Sequence, residues 1–135
     1  MLFRSALTLA NDASISGLTV GKGGGALTGN TIVGNIALGA NTTGSYNAAF
    51  GYGALYVNTT GSYNTSIGRE TLKTITTNSQ NTAVGALALA LTTADSNTAV
   101  GAFAMQTDSK GASNTAIGAG SLASNTTASN NTAVG

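Results

Sequence analysis

The sequence contains no cysteine, proline, histidine or tryptophan, and only 7% of its 135 residues are charged. Each absence removes a class of chemistry. Without cysteine there is no disulfide framework and no thiolate metal site. Without histidine there is no imidazole general base, no zinc–histidine centre and no side chain that titrates near neutrality unperturbed. A formal charge of +1 gives no electrostatic basis for nucleic-acid binding, which depends on clustered Lys and Arg. The four carboxylates, Asp12, Glu70, Asp95 and Asp108, show no spacing suited to acid–base work, although a coiled chain could bring Asp95 and Asp108 near one turn. The chain therefore does not read as an enzyme, and no cofactor or metal is expected.

Long apolar runs are also missing. The longest nearly apolar stretch, Ala83 to Leu91, is about half the length of a spanning helix, so membrane insertion is not expected. The first twelve residues, Met1 to Asp12, hold one Arg and no apolar run of secretory-signal length. Yet 41% of the residues are hydrophobic, more than disordered chains usually carry. Soluble domains usually have about 25–35% charged residues at the surface. A chain this weakly charged is expected to hide part of its exterior.

What the sequence does contain is a repeat. The pattern Asn-x-x-apolar-Gly begins at Asn30, Asn47, Asn64, Asn81, Asn97, Asn114 and Asn131, with spacings of 17, 17, 17, 16, 17 and 17 residues. Its apolar position is Val33, Phe50, Ile67, Val84, Val100, Ile117 and Val134; its glycine is Gly34, Gly51, Gly68, Gly85, Gly101, Gly118 and Gly135. Four residues after each of the first six glycines comes a second large apolar residue, Leu38, Leu55, Leu72, Leu89, Met105 and Leu122, always preceded by a small one. Most units close with a polar turn such as Asn41-Thr42-Thr43-Gly44. A period of 17 is too short for helix-pair repeats of about 33–45 residues, and Gly and Asn-Thr-Thr interrupt any helical run.

The unit suits one turn of an all-β solenoid. Asn-Thr-Ala-Val-Gly forms a short strand, the small–large pair lies on a second short side, and glycine turns the corner where positive φ or close backbone approach excludes a Cβ. Stacked coils rise by about 4.8 Å. In this reading Val33, Phe50, Ile67, Val84, Val100, Ile117 and Val134 form one internal ladder and the Leu/Met series another. The seven asparagines form a third, with side-chain amides bonding coil to coil. Two large apolar residues per layer are a slim core against the ordering cost. Outward Leu87, Leu91 and Phe103 are hard to place on a solvated surface. Packing several copies side by side would cover them, so the chain is expected not to be a monomer.

Residues 1–29 lie outside the strict repeat. Gly17-Leu-Thr-Val-Gly21 imitates the unit's core and is expected to start a degenerate first coil, with Lys22-Gly-Gly-Gly25 as its turn. Leu2 to Leu9 is a candidate strand with a capping or attachment role. Gly21-Lys-Gly-Gly-Gly25 superficially suggests a phosphate-cradling loop, but lacks the Gly-Lys-Ser/Thr ending and a following helix. Residues 30–135 are the repeat shaft, and Gly135 falls five residues into a unit, as at the start of a longer fibre. Arg69, Glu70 and Lys73 gather most of the charge, as a local ion pair or as a charged ring in an oligomer. Tyr46, Tyr52, Tyr56 and Tyr63 fall in two adjacent units, where they either pack between coils or subunits or present rings to a glycan.

The unit Asn-Thr-Ala-Val-Gly-x-x-Ala-Leu-x-x-Asn-Thr-Thr-Gly, led by Gly17-Leu-Thr-Val-Gly-Lys-Gly-Gly-Gly25, resembles the repeat regions of bacteriophage tail fibres. It is also similar to the head repeats of trimeric autotransporter adhesins, whose shorter coils read Asn-Ser-x-Ala-Ile-Gly. The resemblance covers residues 17–135 and implies a homotrimeric β-solenoid fibre in the virion. Residues 1–29 would then meet other tail proteins, and a host surface receptor would be recognised beyond Gly135. The alternative it implies is a trimeric adhesin on the bacterial surface, and the missing signal and the Met1 start favour the phage reading. A more remote reading is an ice-binding solenoid, with Thr rows built from pairs such as Thr42-Thr43 and Thr59-Thr60. Adjacent threonines on an extended segment face opposite ways, however. The matched motif positions are structural, so no receptor-binding residue follows from the resemblance.

Overall fold

The computed structural model describes residues 12–107 and 110–135; Leu2 to Leu9 and Asp108 lie outside them. One nine-stranded sheet runs in chain order: β1 (Ala13–Ile15), β2 (Leu18–Gly21), β3 (Thr31–Val33), β4 (Ala48–Phe50), β5 (Thr65–Ile67), β6 (Thr82–Val84), β7 (Thr98–Val100), β8 (Thr115–Ile117) and β9 (Thr132–Val134). From β3 onward every pairing is parallel and shifted by one repeat, so that Thr65 meets Thr82 and Ile67 meets Val84. The fold is a β-solenoid of about six coils. Among the described residues no helix is long and apolar enough to cross a membrane.

Each coil contributes one three-residue strand, a glycine corner, and a second side that is not a strand. On that side residues of positive φ recur. Leu38, Leu55, Leu72, Leu89, Met105 and Leu122 all have φ of 47–55°, and Leu87 and Phe103, two residues before Leu89 and Met105, have φ of 59° and 61°. An extended segment would send adjacent side chains to opposite faces. The left-handed residues twist the chain so that both members of the pairs Ala54–Leu55, Ala88–Leu89 and Ala104–Met105 are buried. A left-handed non-glycine residue costs about 1–2 kcal/mol. Burying a leucine contributes about 1.5–3 kcal/mol in return, and its amide still finds a partner in the next coil, as in Leu38 N–H to Ala54 C=O at 2.9 Å.

The strand faces opposite to expectation. Its middle residue points inward: Ile32, Ala49, Ser66, Ala83, Ala99 and Ala116 are buried to 1% exposure or less. The row Val33, Phe50, Ile67, Val84, Val100, Ile117 and Val134 lies in register along the sheet, but on its outer face. Phe50, Ile67 and Ile117 are 36%, 41% and 43% exposed and Val134 76%. It is not an internal ladder. The inward strand position is instead taken by Ile32 in the first coil and by a small residue in the others, and the leucine or methionine of the second side and the asparagine side chains occupy the rest of the interior. In the third coil the inner pair is polar, and it satisfies itself: Ser66 and Thr71 hydroxyls lie 2.5 Å apart, and Thr71 Oγ1 also donates to Gly68 C=O at 3.1 Å.

The first coil is closed differently from the others. β2 pairs antiparallel with β3, and β1 antiparallel with β2, through a Ser16-Gly17 turn with φ of 50° and 82°. Gly17-Leu-Thr-Val-Gly21 is therefore half of a hairpin and not a degenerate coil. The loop after it lies over Leu38 and Asn41: Gly24 N–H donates to Leu38 C=O at 3.0 Å, and Asn41 Nδ2 to Gly24 C=O at 3.2 Å. The 16-residue unit loses its residue in the polar turn. Asn81 Nδ2 reaches the carbonyl 13 residues on, Ala94, where other ladder asparagines reach 14, and the parallel register continues unbroken.

Candidate functional site

No cleft with convergent catalytic groups emerges among the described residues. The features that recur or stand out are an inner polar spine, an outer apolar row and a charged, tyrosine-bearing flank. The spine is built from the repeat asparagines. Asn47, Asn64, Asn81, Asn97 and Asn114 are buried to 1% exposure or less, and Asn30 to 6%. Each side chain makes two kinds of bond. Its Oδ1 accepts the backbone N–H of the next asparagine in the stack, at 2.8–3.0 Å from Asn47 to Asn131. Its Nδ2 crosses its own coil to a turn carbonyl, as from Asn47 to Gly61 and from Asn97 to Gly111, both 2.8 Å. Amide-to-amide bonding is the lesser part, at Asn81 to Asn64 (3.3 Å) and Asn131 to Asn114 (3.1 Å). The spine thus ties coil to coil and also cross-braces each coil.

The turn glycines stack backbone on backbone. A Cβ on Gly85 would lie 2.6 Å from Gly101 carbonyl carbon, and one on Gly101 2.5 Å from that of Gly118. Leu38, Leu55, Leu72, Leu89 and Met105 are fully buried, and Leu122, with a coil on one side only, is half-buried. Leu89→Ala is expected to cost about 2–5 kcal/mol, read as a lower urea midpoint, because neighbouring coils cannot close on the gap.

A second polar row escaped the sequence reading. Asn41 and Asn58 sit inside the coil at the start of the Asn-Thr-Thr-Gly turn, and Asn58 Nδ2 donates to Asn41 Oδ1 at 3.2 Å. The next residue in this row is Ile75, so Asn58 Oδ1 is buried without a partner. The signal was present: an asparagine recurs eleven residues after Asn30, Asn47 and Asn114.

The charged residues form local contacts. Glu70 pairs with Lys73 at 2.9 Å and with Arg69 at 3.3 Å. The Lys73 hydrogen bond, joined by the charges of Lys73 and Arg69, holds the Glu70 carboxyl below its ordinary value of 4.5, against a smaller opposing effect of burial. Because the folded value is depressed, this contribution to stability is present above the ordinary carboxyl range and is lost as pH falls through the folded value. Melting curves of wild type and Glu70→Gln are therefore expected to differ at neutral pH and to converge in acid.

The glycine-rich loop has its amides filled from within: Asp12 accepts Lys22 N–H at 2.6 Å and Gly23 N–H at 2.8 Å. That leaves the loop a structural turn and no phosphate cradle. Asp95 is likewise used in stacking, accepting Ser79 N–H at 2.8 Å in a row where Ser62 and Ser79 hydroxyls accept the amides of Ser45 and Ser62. Its suggested partner Asp108 lies outside the described residues. Tyr46 and Tyr63 stack in adjacent coils with centroids 5.1 Å apart, while Tyr52 and Tyr56 are exposed on another side. Leu91 and Phe103 are exposed as expected, and Leu87 is half-buried.

Comparison of the chain with protein-family models, with curated proteins and with solved structures finds no match.

Proposed function

We propose that this chain is the shaft of a homotrimeric attachment fibre, a bacteriophage tail fibre by the likeness of its repeat unit. Residues 1–29 join it to other tail proteins, and the shaft carries a receptor-binding region, beyond Gly135, to the host surface. The observation that carries this reading is the outward apolar row from Val33 to Val134. On the strands the inward position is mostly alanine and the outward one valine, isoleucine or phenylalanine, which is the wrong way round for an isolated rod. Contiguous exposed apolar surface of this kind marks an interaction face. The row repeats at the coil rise of about 4.8 Å, so an identical row on another copy meets it in register, and a closed rotational arrangement covers all copies equally.

Sedimentation equilibrium tests this reading. The expected mass is three times the 13.1 kDa of the chain. A double substitution Val84→Lys and Ile117→Lys is expected to yield monomers that keep the β circular-dichroism signature, because both side chains point away from the coil interior. A wild-type monomer would remove the fibre reading. Antibodies against the chain are expected to label virion tails along a thin projection.

One observation favours a second reading. The Thr42 and Thr59 hydroxyls are engaged with the carbonyls of Thr59 and Thr76 and form no free array. The strand itself, however, places Thr65, Thr82, Thr98, Thr115 and Thr132 in register, two residues from the Val/Ile row and so on the same face. A flat row of threonines beside valines is a surface that orders water, as in ice binding. The two readings need the same face, covered in a fibre and bare in an ice binder. A monomer with thermal hysteresis supports the second; a trimer without it supports the first.

A further inference from the structure

We infer that a notch in the second repeat unit is a shallow binding site for a single saccharide ring. Six residues after each of the first six spine asparagines the units carry Ile36, Gly53, Glu70, Leu87, Phe103 and Gly120. Gly53 has no side chain, so a gap opens between Ile36 one coil below and Glu70 one coil above. The resulting cavity of about 170 Å³ is lined by Ile36, Tyr52, Gly53, Tyr56, Glu70 and Lys73. Its two tyrosines are departures from the repeat: other units have Ala86, Ala102 and Ala119 in the place of Tyr52, and Ala90 and Ala123 in the place of Tyr56. Tyr52 and Tyr56 are 53% and 43% exposed. Gly120, the other glycine at this position, has Ala119 and Ala123 in the places of the two tyrosines, so the aromatic walls belong to this notch and not to the fold.

The chemistry of the walls selects the ligand. Aromatic faces are electron-rich and match the weakly positive C–H face of a pyranose. Glu70 and Lys73, paired at 2.9 Å, place hydrogen-bond acceptors beside donors, which suits vicinal hydroxyls that both donate and accept hydrogen bonds. The charges of these two lining residues cancel, and Arg69, on the other Glu70 oxygen at 3.3 Å, lies outside the lining. Pockets for drug-sized ligands measure about 300–1,000 Å³, so this space seats one ring, and any further units of a saccharide would lie outside it. Binding by a single copy is expected to be weak, in the millimolar range, with several copies on one particle adding avidity. The site does not depend on the fibre reading, whose test is the mass of the assembly.

The test uses the whole chain. Tyrosine ring signals are followed by NMR while glucose, galactose, mannose or N-acetylglucosamine is added to about 100 mM, a range that covers millimolar dissociation constants. At least one sugar is expected to shift the Tyr52 and Tyr56 signals saturably. Gly53→Leu should abolish the shift by filling the notch. Its fold should survive, since Leu87 adopts φ 59° at the equivalent position where Gly53 has 66°, and a Cβ on Gly53 meets only Glu70 Cγ at 3.5 Å. Tyr52→Ala, which installs the residue found in three other units, should weaken binding about three- to tenfold, and it carries the test if Gly53→Leu does not fold. Gly120→Leu should leave the sugar-induced shift of the Tyr52 and Tyr56 signals unchanged. The inference is overturned if none of the four sugars gives a saturable shift, or if a folded Gly53→Leu or Tyr52→Ala binds like wild type.

Discussion

Gly85→Ala is expected to break the rod between two coils. Gly85 has φ of 120°, and the added methyl carbon would sit 2.6 Å from Gly101 carbonyl carbon and 2.7 Å from its oxygen. Neither atom can yield, since both belong to the backbone of the next coil. The dihedral alone costs about 1–3 kcal/mol for a residue with a Cβ, and relieving the overlap forces the two coils apart. Total stabilities of single domains are about 5–15 kcal/mol, so the loss is a large fraction of what is available. In a molecule of this size the melting temperature is expected to fall by about 10 °C or more. Because each coil touches only its neighbours, damage at one interface separates the stack into two shorter ones. Thermal and urea melts followed by circular dichroism are expected to show an earlier, broader transition. A Gly120→Ala control, with no atom within 4 Å of the added Cβ, should lose only the strain of its left-handed backbone.

Asn97→Ala is the second large effect, and its cause is polar. Asn97 is fully buried. Its Oδ1 holds Asn114 N–H at 2.9 Å, and its Nδ2 holds Gly111 C=O at 2.8 Å. Alanine leaves both backbone groups buried without these partners, at about 1–3 kcal/mol each. The expected loss is about 2–6 kcal/mol, measured as a shift in the urea midpoint. Asn97→Asp should be comparably harmful near neutrality: it keeps an acceptor for Asn114 N–H but places a carboxylate against Gly111 C=O. Its stability should improve as pH falls, since the protonated acid can donate to that carbonyl.

Both effects show why the period and register of the coil could be read from the amino-acid sequence. Glycine at each corner and asparagine at each strand start are required by contacts between identical positions, so the residue type itself repeats. The facing of the strand could not be read in the same way. In Thr82-Ala83-Val84 both alternating positions are apolar or small, and side-chain volume argues for valine inside. The opposite holds because the coil is filled from its second side by Leu89 and by Asn81, leaving room for no more than Ala83. The leucine positions hid a different feature. Leucine rarely adopts positive φ, so nothing in the sequence announced that Leu55, Leu72 and Leu89 would do so. The hairpin was hidden by composition: Leu18-Thr19-Val20-Gly21 looks like a unit core, but the two-residue Ser16-Gly17 turn folds it back against β1 and makes it antiparallel.

The sheet's outer face and the inner spine have separate duties. Asparagine, glycine and leucine hold the chain in its coil; valine, isoleucine and phenylalanine on the other face are exposed, and it is these that the proposed association would cover. The buried spine and leucine row order the coil despite only 7% charge, and substitutions on the outer row are expected to spare the coil.

Backbone amide exchange, resolved by residue in the intact protein, tests the spine most directly. Ordinary strands protect amides through carbonyls; here the N–H groups of Asn47, Asn64, Asn81, Asn97 and Asn114 are held by side-chain oxygens of the preceding coil. These five should exchange slowly and as a group, and Asn97→Ala should release the amide of Asn114 before that of Asn64. Fast exchange at the five asparagines in the folded wild-type chain, or an Asn114 amide indifferent to Asn97→Ala, would contradict the account.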